Sequence, residues 1–118
     1  MNRIIQLAKK LSYKSDHRAH KLGCVIVNKN KIISLGWNRI KTHPKSPHKF
    51  KSIHAEFHAI LGVDERELNG ATVYIYREQK NGKLGKARPC SSCWKMLENV
   101  GISEIIYSDY DGMKRERI

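Results

Sequence analysis

Cysteine is scarce: three in 118 residues, Cys24, Cys90 and Cys93. An odd count with one close pair argues against the disulfide framework of a small secreted domain. In a reducing compartment the C-x-x-C pair points to metal or redox chemistry instead. Long apolar runs are missing too. No 18-residue stretch is apolar, so no membrane-spanning helix is predicted. Residues Met1 to Lys10 interleave charge with apolar groups and lack the unbroken core of a secretory signal, so the expected location is cytoplasmic. Acidic residues are almost absent from the first half. Residues 1–51 hold thirteen Lys or Arg and a single acid, Asp16, whereas residues 52–118 hold ten of each. The whole surplus of +12 therefore sits in the N-terminal part. Such a field suits a phosphate-bearing or polyanionic partner, and a solvated basic surface is the plainer reading.

What is present fits one domain over residues 1–118, large enough for a modest core without disulfides. Ile4, Ile5, Leu7, Ala8 and Leu11 form a helical stripe within 2–15. Leu22 to Val27 and Ile32 to Trp37 read as two strands joined by a turn at Asn28–Lys31. Residues 38–52, with Pro44 and Pro47, read as a loop. A helix is predicted from about Ile53 to Leu61, ending at Gly62, with a short acidic connector over 64–69. Thr72 to Tyr76 reads as a third strand, and Asn81-Gly82 as a tight turn in a polar tract. A helix begins after Pro89 and stops at Gly101, and Ile102 to Tyr107 reads as a fourth strand. The polar segment from Asp109 has no clear period. Strands alternating with helices near the end imply parallel neighbours, and a sheet with helices on both faces is the natural packing.

Two short segments carry the chemistry: His54-Ala55-Glu56 and Pro89-Cys90-Ser91-Ser92-Cys93. Each falls at a predicted helix start. Cys90 and Cys93 lie three apart, so both sulfurs can point to one spot where the helix dipole favours thiolates. Two thiolates and the His54 imidazole make a good ligand set for zinc. Three protein ligands leave a fourth position for water, as in catalytic zinc sites. Glu56 then stands near that position. It can take a proton from water and return it to a leaving group.

The pattern H-x-E followed by P-C-x-x-C is the signature of zinc-dependent base deaminases. On it, the chain resembles the cytidine and deoxycytidylate deaminase superfamily over roughly residues 20–108, most closely the deoxycytidylate-type and small phage-type members. Gly36-Trp37-Asn38 is similar to that family's glycine-aromatic-asparagine segment. The resemblance implies a three-layer α/β/α fold with a mixed sheet of about five strands. It implies hydrolytic deamination of a cytosine-type nucleotide or nucleoside, with Zn2+ as cofactor. His54, Cys90 and Cys93 would bind zinc and Glu56 would shuttle the proton. The N–H groups of Ala55 and Cys90 would help hold base and water, and Asn38 would hydrogen-bond sugar or base. Family members are commonly oligomeric, so a homo-oligomer is compatible with the reading. Arg88 stands where tRNA adenosine deaminases typically carry glutamate, which weakens an adenosine substrate.

Plainer readings stand beside these. His58, one helical turn after His54, could close a structural zinc site, or simply pack. The C-x-x-C could be a redox pair, although that leaves the upstream H-x-E unexplained. Trp37 is either core or pocket wall, and Asn38 is either a substrate contact or a turn residue. Cys24 reads as core, and His17, His20, His43 and His48 as surface. Arg39, Lys41, Lys45, Lys49 and Lys51 could clamp one phosphate. Equally they could track single-stranded DNA or RNA, with Phe50 or Trp37 stacking on a base. A non-enzymatic, zinc-stabilised nucleic-acid-binding module is the third reading.

Overall fold

The computed structural model describes residues 2–16, 20–39 and 54–118. Its elements run α1 (Arg3–Ser12), β1 (Lys21–Asn28), β2 (Lys31–Trp37), α2 (Ala55–Ile60), α3 (Glu65–Leu68), β3 (Thr72–Glu78), α4 (Ser91–Asn99), β4 (Glu104–Asp109) and β5 (Gly112–Arg117). Asn2 starts α1 by accepting from the amides of Ile4 and Ile5 at 2.7 and 3.1 Å. The predicted stripe buries Ile5, Ala8 and Leu11. The helix stops at Ser12, shorter than expected.

Five strands form one sheet in the order β2-β1-β3-β4-β5. The β1–β2 hairpin turns through Lys29 and Asn30, both at positive φ, as a two-residue hairpin loop requires. β1 also pairs antiparallel with β3, and β3 pairs parallel with β4 across α4. The polar segment after Asp109, which showed no period, returns antiparallel as β5. Its Lys114-Arg115-Glu116-Arg117 run carries too little apolar pattern to announce a strand. Charge of this kind is common on an unpaired sheet edge.

Helices cover both faces, giving three layers. On one side α1 packs against Val25 and Tyr76. On the other, Ala55 and Ala59 of α2, Leu68 of α3 and Leu97 of α4 pack on Cys24, Ile26, Val73, Ile75 and Ile105. Two glycines set the spacing. A β-carbon on Gly23 would collide with the Ala8 carbonyl of α1, and one on Gly36 with the Ala55 carbonyl and Ala59 amide of α2. The helix that carries Glu56 therefore sits against bare backbone. Among the described residues no helix is long and apolar enough to cross a membrane.

Candidate active site

The N-termini of α2 and α4 meet at the end of the sheet where β1 begins and β2 and β3 finish. Open α/β sheets bind ligands beyond strand ends such as that of β3. His54 is the N-cap of α2 and Cys90 the N-cap of α4, and neither side chain caps its own helix. Both are thus left for each other. Nδ1 of His54 lies 3.5 Å from Sγ of Cys93 and 3.9 Å from Sγ of Cys90. The three donor atoms fall within 4.8 Å of one another. Tetrahedral zinc with bonds of about 2.3 Å to sulfur and about 2.0 Å to nitrogen places such pairs about 3.5–3.8 Å apart. The donor set therefore fits zinc. Its chemistry agrees: burial first, then the neighbouring Glu56 and Cys90, pushes the Cys93 thiol well up. A thiolate there needs a cation beside it.

A cavity of about 240 Å³ opens beside these donors. Its walls are His20, Leu22, Asn38, His54, Ala55, Glu56, Arg88 and Cys90. Glu56 is buried and follows His54 by two positions. Burial raises its carboxyl above the ordinary range, while bonds to its own backbone amide and to Cys93 hold it back. A raised carboxyl is suited to both taking and giving a proton near neutral pH.

The remaining predicted residues are sorted by the structure. Asn38 lines the cavity, but its side chain also ties the strand entry. Oδ1 accepts from the Leu22 amide at 2.9 Å, and Nδ2 donates to the His20 carbonyl at 2.5 Å. Trp37 is not on the cavity wall. It points to the α1 face, where Lys14 and Arg39 lie 5.0 and 5.2 Å from its ring centre. His58 is not in the donor group; its Nδ1 lies against the Trp37 backbone, 3.0 Å from the amide and 3.1 Å from the carbonyl. Arg39 stands just beyond Asn38, whereas Lys41, Lys45, Lys49, Phe50 and Lys51 lie outside the described residues. Cys24 is buried in the core beneath α2, as expected. His20 is exposed, as expected, and also contributes to the cavity wall. The Asn38 side chain bonds its carbonyl, a contact that no local pattern reveals.

The family model for the cytidine and deoxycytidylate deaminase zinc-binding region matches residues 1–109. The chain belongs to this family. Zinc is the metal of the family's named region, and His54, Cys90 and Cys93 are the residues placed for it. The chain is 35% identical over 111 residues to the riboflavin biosynthesis protein RibD of Buchnera aphidicola subsp. Baizongia pistaciae. That match covers 94% of this chain but 26% of RibD. It is 32% identical over 111 residues to the diaminohydroxyphosphoribosylamino-pyrimidine deaminase of Buchnera aphidicola subsp. Schizaphis graminum, over 94% of this chain and 65% of the relative. The chain thus spans about a quarter of one of these relatives and just under two thirds of the other. The deoxycytidylate deaminase of Mycobacterium phage D29 is 23% identical over 122 residues, covering 86% and 88% of the two chains. Among solved structures, the dCMP deaminase of cyanophage S-TIM5, in complex with dCMP and dUMP, shares the fold. The TM-score is 0.61 at 20% identity, over 87% of this chain and 76% of that one.

Proposed function

We propose that this deaminase hydrolyses the exocyclic amine of a cytosine-type pyrimidine nucleotide, yielding ammonia and the uracil-type product. The observation that carries the reading is the buried carboxyl of Glu56 in the same small cavity as His54 and Cys90, two of the three donors that group with Cys93. When bound by those three residues, zinc supplies a nucleophile from water near neutral pH. Glu56 would accept one proton from water and pass it to ring N3. It would then take the proton of the hydroxyl added at C4 and give it to the amine, which leaves as ammonia as the C4–N bond breaks and the C4 carbonyl forms. Leu22 and Ala55 provide apolar wall against the flat base. The Ala55 and Cys90 amides, at helix starts where backbone donors lack intrahelical partners, are placed to hold polar atoms of base and water. Asn38 keeps the wall in shape through His20 and Leu22, and meets the sugar or base with what bonding capacity remains.

A monophosphate is the substrate form best supported. The names of the relatives describe a deoxycytidylate and a phosphoribosyl compound, both carrying phosphate. The N-terminal half of this chain supplies the surplus of positive charge. The identity of 32–35% to the riboflavin-type relatives favours a second reading, a diaminopyrimidine bearing ribosyl phosphate. Ammonia release decides among them. Zinc-loaded protein is offered cytidine, deoxycytidine, their monophosphates, the diaminopyrimidine ribosyl phosphate and a cytosine-containing single strand. Turnover of a cytidine monophosphate well above its nucleoside supports the proposal. Turnover of the diaminopyrimidine alone supports the second reading, and turnover of the strand alone overturns both.

A further inference from the structure

The approach to α4 is pinned along its length. The Ala87 amide donates to the Ser108 carbonyl of β4 at 2.8 Å, and the Ser108 hydroxyl donates to the Gly85 carbonyl at 2.8 Å. Arg88 comes next, two residues before Cys90 and on the cavity wall. Its guanidinium does two things at once. It lies 4.5 Å from the ring centre of Trp94, the residue after Cys93 on α4. Its Nε and Nη2 also donate to the two carboxylate oxygens of Glu116, at 2.7 and 3.4 Å. Tyr107 donates its hydroxyl to the same carboxylate at 2.8 Å. Glu116 is thus held from β4 while it holds Arg88.

We propose that Glu116, on the last strand, is a positioning residue: it grips Arg88 against Trp94, fixes the chain entering α4, and so sets Cys90 as a metal donor. The inference rests on the metal reading of His54, Cys90 and Cys93. Its physical basis is leverage. Cys90 is the exposed N-cap of α4, two residues after Arg88, so the course of the backbone through Arg88 and Pro89 helps set where its thiol stands. A contact from the residue two before the cap to the fourth helical residue fixes the entry angle, as an apolar staple does one position later. The cation–π contact needs the guanidinium flat on the ring, and the two bonds to Glu116 supply that orientation. A half-exposed ion pair adds little to global stability, so its effect should appear at the metal site instead.

The test compares wild type with Glu116→Ala and Glu116→Gln in the full chain. Zn2+ affinity is read in the metal-free protein by competition with a chelating indicator. Co2+ titration reads the thiolate-to-metal absorption, and thermal melting is followed without metal. Outer partners of metal ligands typically alter affinity about 10–100-fold. Glu116→Ala should therefore weaken Zn2+ binding at least about tenfold and shift the Co2+ band, with metal-free melting within about two degrees of wild type. Glu116→Gln, which retains an acceptor for Arg88 and Tyr107, should fall between. Unchanged affinity and an unchanged band in Glu116→Ala would overturn the proposal. So would a fall in affinity matched by a fall in metal-free melting that Glu116→Gln does nothing to restore. If wild type binds neither ion, the metal reading fails with it, whereas tight wild-type binding that Glu116→Ala leaves intact defeats this inference alone.

Discussion

The Trp37 amide donates to Nδ1 of His58 over 3.0 Å, and the two rings meet edge to face with centres 4.6 Å apart. This contact joins the end of β2 to the last turn of α2, and His58 stands outside the donor group. The same Nδ1 lies 3.1 Å from the Trp37 carbonyl, so the backbone of Trp37 offers it both a donor and an acceptor. Burial first, then the Arg39 charge, lowers the His58 pKa, against a smaller opposing effect of its Trp37 backbone bond.

The sign of the linkage follows. A histidine whose folded pKa is depressed contributes stability that is complete above its unfolded value of about 6.5 and is lost as pH falls below it. Melting temperature should drop between about pH 7 and pH 5.5. His58→Gln, although less stable at pH 7, should show a shallower slope there. An identical slope in the two proteins would remove His58 from the account.

Glu56→Gln keeps the size and burial of the side chain and deletes the proton transfer. Turnover should fall by about 10²–10⁴ or more, with zinc content measured by metal analysis close to that of wild type. Near-normal turnover in this variant would show that another group moves the proton.

Thiol chemistry offers a readout that needs no substrate. Cys90 is exposed, while Cys93 and Cys24 are buried. In metal-free protein an alkylating reagent should modify Cys90 fastest, and zinc should suppress the reaction, because a ligating thiolate is no longer free to attack. Cys93→Ser should abolish that protection by weakening the site. If Cys90 reacts at one rate with and without zinc, it is not a ligand.

Gly36→Ala adds one methyl where the Ala55 carbonyl and Ala59 amide already touch the strand. Overpacking of this kind costs about 1–3 kcal/mol, read by chemical denaturation. Here the displaced element is the helix that carries His54 and Glu56, so turnover should fall as well. Gly23→Ala, which pushes on α1 from the other face of the sheet, should lose comparable stability and retain a larger share of turnover per folded molecule.

Apolar periodicity was enough to place α1, short apolar runs placed the first four strands, and Pro89 with Gly101 bounded α4, because all of these signals are local. It could not place β5, where Lys114, Arg115 and Arg117 stand on an edge strand with little to bury. The zinc donors and Glu56 were legible because their spacing is itself the chemistry. Contacts between distant positions were not. Nothing local connects Arg88 with Glu116, 28 positions on, or tells that Asn38 bonds the His20 carbonyl. The position of Trp37 was half legible. Side chains alternate along a strand, so a residue after a glycine that faces α2 must face α1.

His54 is separated from Cys90 and Cys93 by 36 and 39 positions, with β3 lying between them. An ion held by all three ties off a loop of that length, as a covalent bridge would, but one that metal supply makes or unmakes. Folded protein alone offers the assembled site, so free metal above the dissociation constant raises the population that stays folded. Zinc shortage would therefore lower the amount of this protein as well as its metal-loaded fraction, because unloaded copies would open more often and meet proteases sooner.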